Sequence, residues 1–172
     1  MANGIPARFK APVLGIADKV SHIALGLPDG AVFDNQDSFF AALNFLEPED
    51  ILVTVFAHDG HPDHEATGQV VSHYAKLHGM SCYQVLIWAW HWASPADPRI
   101  NWQNAVRLDL TATQKAQKRL ALDCFTSQIL PDPSTGQSAV LPAYAIERMM
   151  GVGEVFLKRG VLPKTSLSKE NV

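Results

Sequence analysis

The stretch Ala57-His58-Asp59-Gly60-His61-Pro62-Asp63-His64 places five side chains able to bind a metal or move a proton within seven positions. Four of the chain's seven histidines lie between residues 58 and 73. A solvated loop has no need of that density. Imidazole changes charge near neutral pH and is a common metal ligand, so this segment is where chemistry is expected. It follows the continuous apolar run Ile51–Phe56 and opens a helical pattern, which makes it a strand-to-helix turn. Pro62 suits a helix start, where its missing N–H has no partner to lose. Asp63 is favoured by the positive end of the helix dipole. The same dipole disfavours imidazolium at His61 and His64, which keeps a lone pair free for a metal or a hydrogen bond. Residues three apart share a helix side, so His61 and His64 should converge, and Asp63 could orient one of them. A catalytic zinc takes three protein ligands and keeps one position for water. Beyond His64, the candidates within the chain are His58, Asp29 and His91. His73 and His78 are read as surface residues of the helix, and His22 as a structural strand residue.

The elements that must position this segment alternate in type. Val20–Leu25 reads as a short strand and Gly26–Gly30 as a turn. Asp37–Leu46 carries Phe39, Phe40, Leu43 and Leu46 at helical spacing, closed by Pro48. Ile51–Phe56 has the continuous apolar character of a strand covered on both faces. Glu65–Leu77 is helical, with Val70, Val71 and Tyr74 on one side and Gly79 as its stop. Cys82–Trp90 reads as a second buried strand and Val106–Leu110 as a shorter one. Thr111 caps a helix running to about Gln128. Pro131–Gln137 is a loop, Pro142–Met150 a short helix and Glu154–Leu157 a last strand. Strands alternating with helices over short links predict an α/β domain with a parallel sheet, covering residues 1–163, with a polar tail from Lys164. Ligands on such sheets sit at the carboxyl ends of the strands, which is where the histidine segment falls.

Composition narrows the function classes. Of 172 residues, 47% are hydrophobic and 18% charged, which excludes disorder as the main state. The net charge is −3 without a basic patch, which argues against nucleic acid or an anionic membrane as the main partner. No apolar run reaches the roughly 18 residues of a membrane span. The first residues lack the charged-then-apolar pattern of a signal, so a cytoplasmic location is expected. Cys82 and Cys124 lie in apolar stretches and read as buried free thiols. Trp88, Trp90 and Trp92 would alternate along the predicted strand and share one face, with His91 on the other. They are read as core packing, with a wall against a sugar ring as the alternative. Lys115, Lys118 and Arg119 form a solvated helix face, and Ser127-Gln128 reads as a structural cap. No GxGxxG follows the first strand, which disfavours nucleotide binding.

At His61-Pro62-Asp63-His64, followed by Ala66-Thr67-Gly68, the chain resembles the PIG-L/LmbE family of zinc-dependent N-deacetylases. The resemblance extends through Leu25-Gly26-Leu27-Pro28-Asp29-Gly30, Trp88-Ala89-Trp90-His91-Trp92-Ala93, Leu108-Asp109-Leu110-Thr111, Lys118, Ala121, Ser127-Gln128 and Glu154-Val155-Phe156, in family order. It implies a Rossmann-like parallel sheet flanked by helices, with zinc at the strand ends. The implied reaction removes the N-acetyl group from an N-acetylated sugar of the N-acetylglucosamine type. By this likeness His64 is the metal ligand, His61 polarises or protonates the tetrahedral intermediate, Asp63 is its carboxylate partner, and Asp29 lies near the sugar hydroxyls. The family's Ala-His-Pro-Asp-Asp-Glu box, which supplies two further zinc ligands and the general base, has no counterpart here. The likeness therefore covers the back two-thirds of a typical member, without its first strand and helix. The alternative expectation is a family member without catalysis, acting as a sugar-binding or assembly module. A free sheet edge at the missing strand would favour a homo-oligomer.

Overall fold

The computed structural model describes residues 23–151 and 153–159. His22, the start of the predicted first strand and the tail from Lys164 lie outside the described residues. Two compact units are formed, one from residues 25–108 with 154–159, the other centred on residues 109–151.

The first unit is a four-stranded sheet with helices. β1 (Ile51–Val55), β2 (Ser81–Val85), β3 (Ala105–Leu108) and β4 (Glu154–Arg159) lie in the order β1-β2-β4-β3. β1 and β2 pair in parallel, Leu52 against Cys82 and Thr54 against Gln84. β4 runs antiparallel to both β2 and β3, so the sheet is mixed rather than parallel. Local patterning marks candidate strands. It does not fix their direction, and an antiparallel strand needs no crossover helix on its own account.

α1 (Gln36–Ala42) and α2 (Pro62–His78) cover one sheet face. Their contact with the strands forms a core of Leu52, Val71, Tyr74, Ala75, Met80 and Cys82, flanked by Phe39, Phe40, Leu43 and Leu46. Burial there pushes the Cys82 thiol above its ordinary pKa. Val70, Val71 and Tyr74 are buried together, and Gly79 ends α2 with φ +66°. His73 and His78 are exposed, His78 stacked on Tyr74 at 4.2 Å. β1 departs from the expectation of two covered faces. Leu52 and Thr54 are buried, whereas Ile51 and Val53 are 67% and 57% exposed. The strand lies at the sheet edge, and α1 and α2 sit on one side of it only. Ile23–Leu25 is irregular rather than strand.

A second cluster gathers Phe56, Leu86, Ala89, Ala93, Ile100 and Leu157, with Trp90, Trp92 and Trp102 against it. The predicted strand Cys82–Trp90 ends at Val85, and α3 (Ala89–Trp92) follows. The tryptophans therefore do not alternate along a strand. Trp90 and Trp92 pack against the core from a helical turn, whereas Trp88 stacks on His91 at 4.3 Å rather than facing away from it.

In the second unit α4 (Ala112–Asp123) opens with a reciprocal capping box between Thr111 and Gln114. It stops before Gln128: Phe125 leaves the helical region at ψ 55°, and α5 (Thr126–Ile129) starts anew. Cys124, at the end of α4, is exposed rather than buried. Lys118 is not on a purely solvated face, since its Nζ donates to the Met149 carbonyl of α6 (Ala143–Gly151) at 2.9 Å. In the 131–137 loop, Asp132 accepts from Ser134 N and from the hydroxyls of Ser134 and Thr135. Those bonds hold its carboxyl down to a pKa of about 2.

α2 presses closely on the end of β1. A Cβ at Gly68 would stand 2.5 Å from the Val55 carbonyl oxygen and 2.9 Å from Ala57 Cα, both main chain that cannot swing aside. Gly68→Ala is expected to lower unfolding stability by about 1–3 kcal/mol through overpacking, read as a fall in the urea midpoint. Gly151→Ala, where nothing lies within 4 Å, should leave the midpoint unmoved or raised.

Candidate functional site

The carboxyl ends of β1 and β2 lie side by side because the two strands are parallel and in register. The chain leaves each strand there into a turn, Ala57–His61 after β1 and Leu86–Trp88 after β2. Asp59 ties the two turns together. Its side chain is fully buried, and its carboxylate accepts from the main-chain N–H of Ile87 (3.1 Å), Trp88 (2.7 Å) and Ala89 (2.9 Å). Those three N–H groups open α3 and would otherwise lack partners. The carboxylate thus ends β2 and starts α3, which is why the apolar run up to Trp90 does not continue as a strand.

The fourth bond of Asp59 reaches the histidine segment. Its Oδ2 stands 2.6 Å from His64 Nδ1. A carboxylate only accepts, so Nδ1 carries a proton, and the lone pair of the neutral imidazole is on Nε2. The His64 side chain is 27% exposed, so the ring is partly open to solvent. His61 and His64 converge as their spacing implies, with ring centroids 4.5 Å apart. His61 also meets the Trp88 ring edge-on at 5.8 Å, and its buried Nδ1 makes no hydrogen bond.

Asp63 is placed differently from its expected role beside His61. Oδ2 accepts from Gly30 N at 2.7 Å and Oδ1 from Val32 N at 3.2 Å. Both oxygens therefore hold the turn after Pro28 against the start of α2. The physical reason is that the turn offers the carboxylate two main-chain N–H donors at once, those of Gly30 and Val32, which one imidazole cannot match. Asp29 rides on that turn and is exposed. Glu65 caps the other side of the segment, accepting from Gly60 N at 3.0 Å.

The further ligand candidates do not gather around His64. His58 is exposed with its ring edge-on to Phe56. His91 stacks on Trp88 at 4.3 Å, and burial lowers its pKa while the Asp59 charge pulls the other way. Among the described residues, no three His, Cys, Asp or Glu side chains form a group that would hold a metal ion.

A second buried carboxylate lies nearby in the chain after α3. Asp97 accepts from Ser94 N and Arg99 N and makes a two-pronged pair with Arg99 Nε (2.9 Å) and Nη2 (2.7 Å). The Arg99 guanidinium holds this carboxyl well below the ordinary carboxylate range.

Comparison of the chain with known protein families, characterised proteins and solved structures finds no match. Among the described residues, no helix is long and apolar enough to cross a membrane.

Sequence reading counts Asp59 in the histidine segment and Trp92 in the tryptophan run but does not find the bonds they make at the site. Asp59 sits in the histidine segment, but its partners are main-chain groups 28 to 30 residues away, which no spacing rule marks. Asp59→Asn is expected to destabilise the fold by about 2–4 kcal/mol, since its amide N–H₂ must face donors that need an acceptor. Chemical denaturation checks this. For Asp97 the depressed carboxyl contributes stability above its ordinary value of 3.8, and that stability is lost as pH falls towards the folded value. The stability gap between the parent chain and Asp97→Asn should be constant above about pH 5 and narrow below about pH 4, in urea titrations across pH.

Proposed function

We propose that the mouth between the ends of β1 and β2 is a metal-assisted hydrolytic site of the PIG-L/LmbE kind, acting on the acetamide of an N-acetylated sugar. The observation that carries this reading is the Asp59–His64 pair at 2.6 Å. A carboxylate on one imidazole nitrogen, with the other left open, is how proteins orient a histidine towards a metal and raise its basicity. His64 would hold the ion through Nε2. The donor chemistry fits one ligand of a zinc ion, and the described residues around His64 do not supply the rest of a set. Bound zinc would polarise an amide carbonyl and lower the pKa of its water.

The other residues have roles that follow from their places. His61, against the His64 ring, can donate to a developing oxyanion or hand a proton to the leaving amine. Asp63 acts on the turn after Pro28, fixing the backbone that carries Asp29, where sugar hydroxyls would be met. Trp88 gives the mouth an apolar side against which a sugar ring can lie.

Elemental analysis of the purified chain tests the reading. About one zinc per chain, lost in His64→Ala and retained in His73→Ala, is the expected result. His61→Ala should keep the zinc and slow amine release from an N-acetylglucosamine conjugate by about 10²-fold or more. A stable chain that takes up no zinc when it is offered in excess would overturn the metal assignment and leave a folded, non-catalytic sugar-binding or assembly module.

A further inference from the structure

We propose that Arg99 and Asp97 are positioning residues for the Asp59–His64 pair and act on it through Trp92. The proposal rests on the reading that His64 is the working imidazole. The path is continuous. The Arg99 guanidinium lies over the Trp92 ring, 4.0 Å from its centroid. Trp92 Nε1–H donates to the Asp59 carbonyl at 2.7 Å. Asp59 then holds His64 through its carboxylate. Behind Arg99, the buried Asp97 takes both guanidinium prongs, and the Trp102 Nε1–H fixes the Asp97 carbonyl at 3.0 Å.

An exposed ion pair is ordinarily worth little. This one differs in having a buried carboxylate, two-pronged geometry and an indole beneath the guanidinium. Arg99 is thereby tethered at two nitrogens while its guanidinium covers the ring. The Nε1 edge of the indole closes on Gly60: a Cβ there would stand 2.8 Å from Trp92 Nε1. Gly60 has φ +90°, so the close approach is built into the turn. Asp59 is consequently gripped at its carbonyl by Trp92 and at its carboxylate by the N–H groups of Ile87, Trp88 and Ala89. A shift of the indole moves the carbonyl grip, and with it the oxygen that must stay within bonding distance of His64.

The test uses the full chain without metal, so that its outcome is separate from the zinc assignment. NMR measures the exchange of the His64 Nδ1 proton with water. Trp92→Phe keeps a ring under Arg99 but deletes the N–H, and Arg99→Ala removes the cover. Each should speed that exchange by about tenfold or more, as expected when a buried hydrogen bond is loosened, while the Val71 amide on α2 keeps its parent rate. Arg99→Lys, which retains the charge without the fork, should fall between. Arg99→Ala should add nothing further in the Trp92→Phe background, since the two lie on one path. An unchanged His64 proton in the single variants, equal acceleration at Val71, or additive effects of the pair would overturn the proposal. Should Arg99→Ala fail to fold, Arg99→Lys alone and combined with Trp92→Phe decides by the same comparison.

Discussion

A carboxylate removed from water must find its hydrogen bonds in the protein, and Asp59 finds four. Left unmet, such a group carries a desolvation penalty of several kcal/mol, so the chain around it has little choice of path. Three of the four donors are consecutive main-chain N–H groups, and accepting them halts β2 and begins α3. The fourth is His64, which is thereby fixed in one tautomer and turned with Nε2 away from the carboxylate. The same interaction thus sets the local fold and prepares the imidazole for a ligand. Everything assigned to the mouth of the sheet depends on it.

Two further carboxylates follow the same rule in other ways. Asp63 satisfies itself on the N–H groups of Gly30 and Val32, and so anchors a turn instead of an imidazole. Asp97 satisfies itself on Arg99 and on the backbone of its own loop. Asp63 binds the turn after Pro28, and Asp59 the start of α3, to the histidine segment, while Asp97 holds the loop after α3 together. Packing adds rigidity where side chains are absent: Gly68 lets α2 lie directly on the end of β1, and Gly60 lets the Trp92 indole close on the turn.

The parts of this arrangement that periodicity governs were legible in the sequence. The helical spacing of Val70, Val71 and Tyr74, the stop at Gly79 and the capping box at Thr111 all describe local structure, and the local residues decide it. The convergence of His61 and His64 follows from the same helical geometry. What was not legible depends on contacts far along the chain. The run from Cys82 to Trp90 is apolar apart from Gln84, and the distant Asp59 carboxylate accepts the N–H groups at which its second half turns into a helix. Asp63 seemed suited to an imidazole by its neighbours in sequence, whereas its partners came from a turn more than thirty residues earlier. The direction of β4 and the single covered face of β1 are properties of the assembled sheet, which no short window records.

The most direct measurement is the tautomer of His64 in the metal-free chain, read from the ¹⁵N and ¹H resonances of its imidazole ring. A ring protonated at Nδ1, with an unprotonated Nε2 and a strongly deshielded Nδ1 proton, is the result this account predicts. A ring protonated at Nε2, or one exchanging freely between the two forms, would mean that Asp59 does not hold His64 and would contradict it.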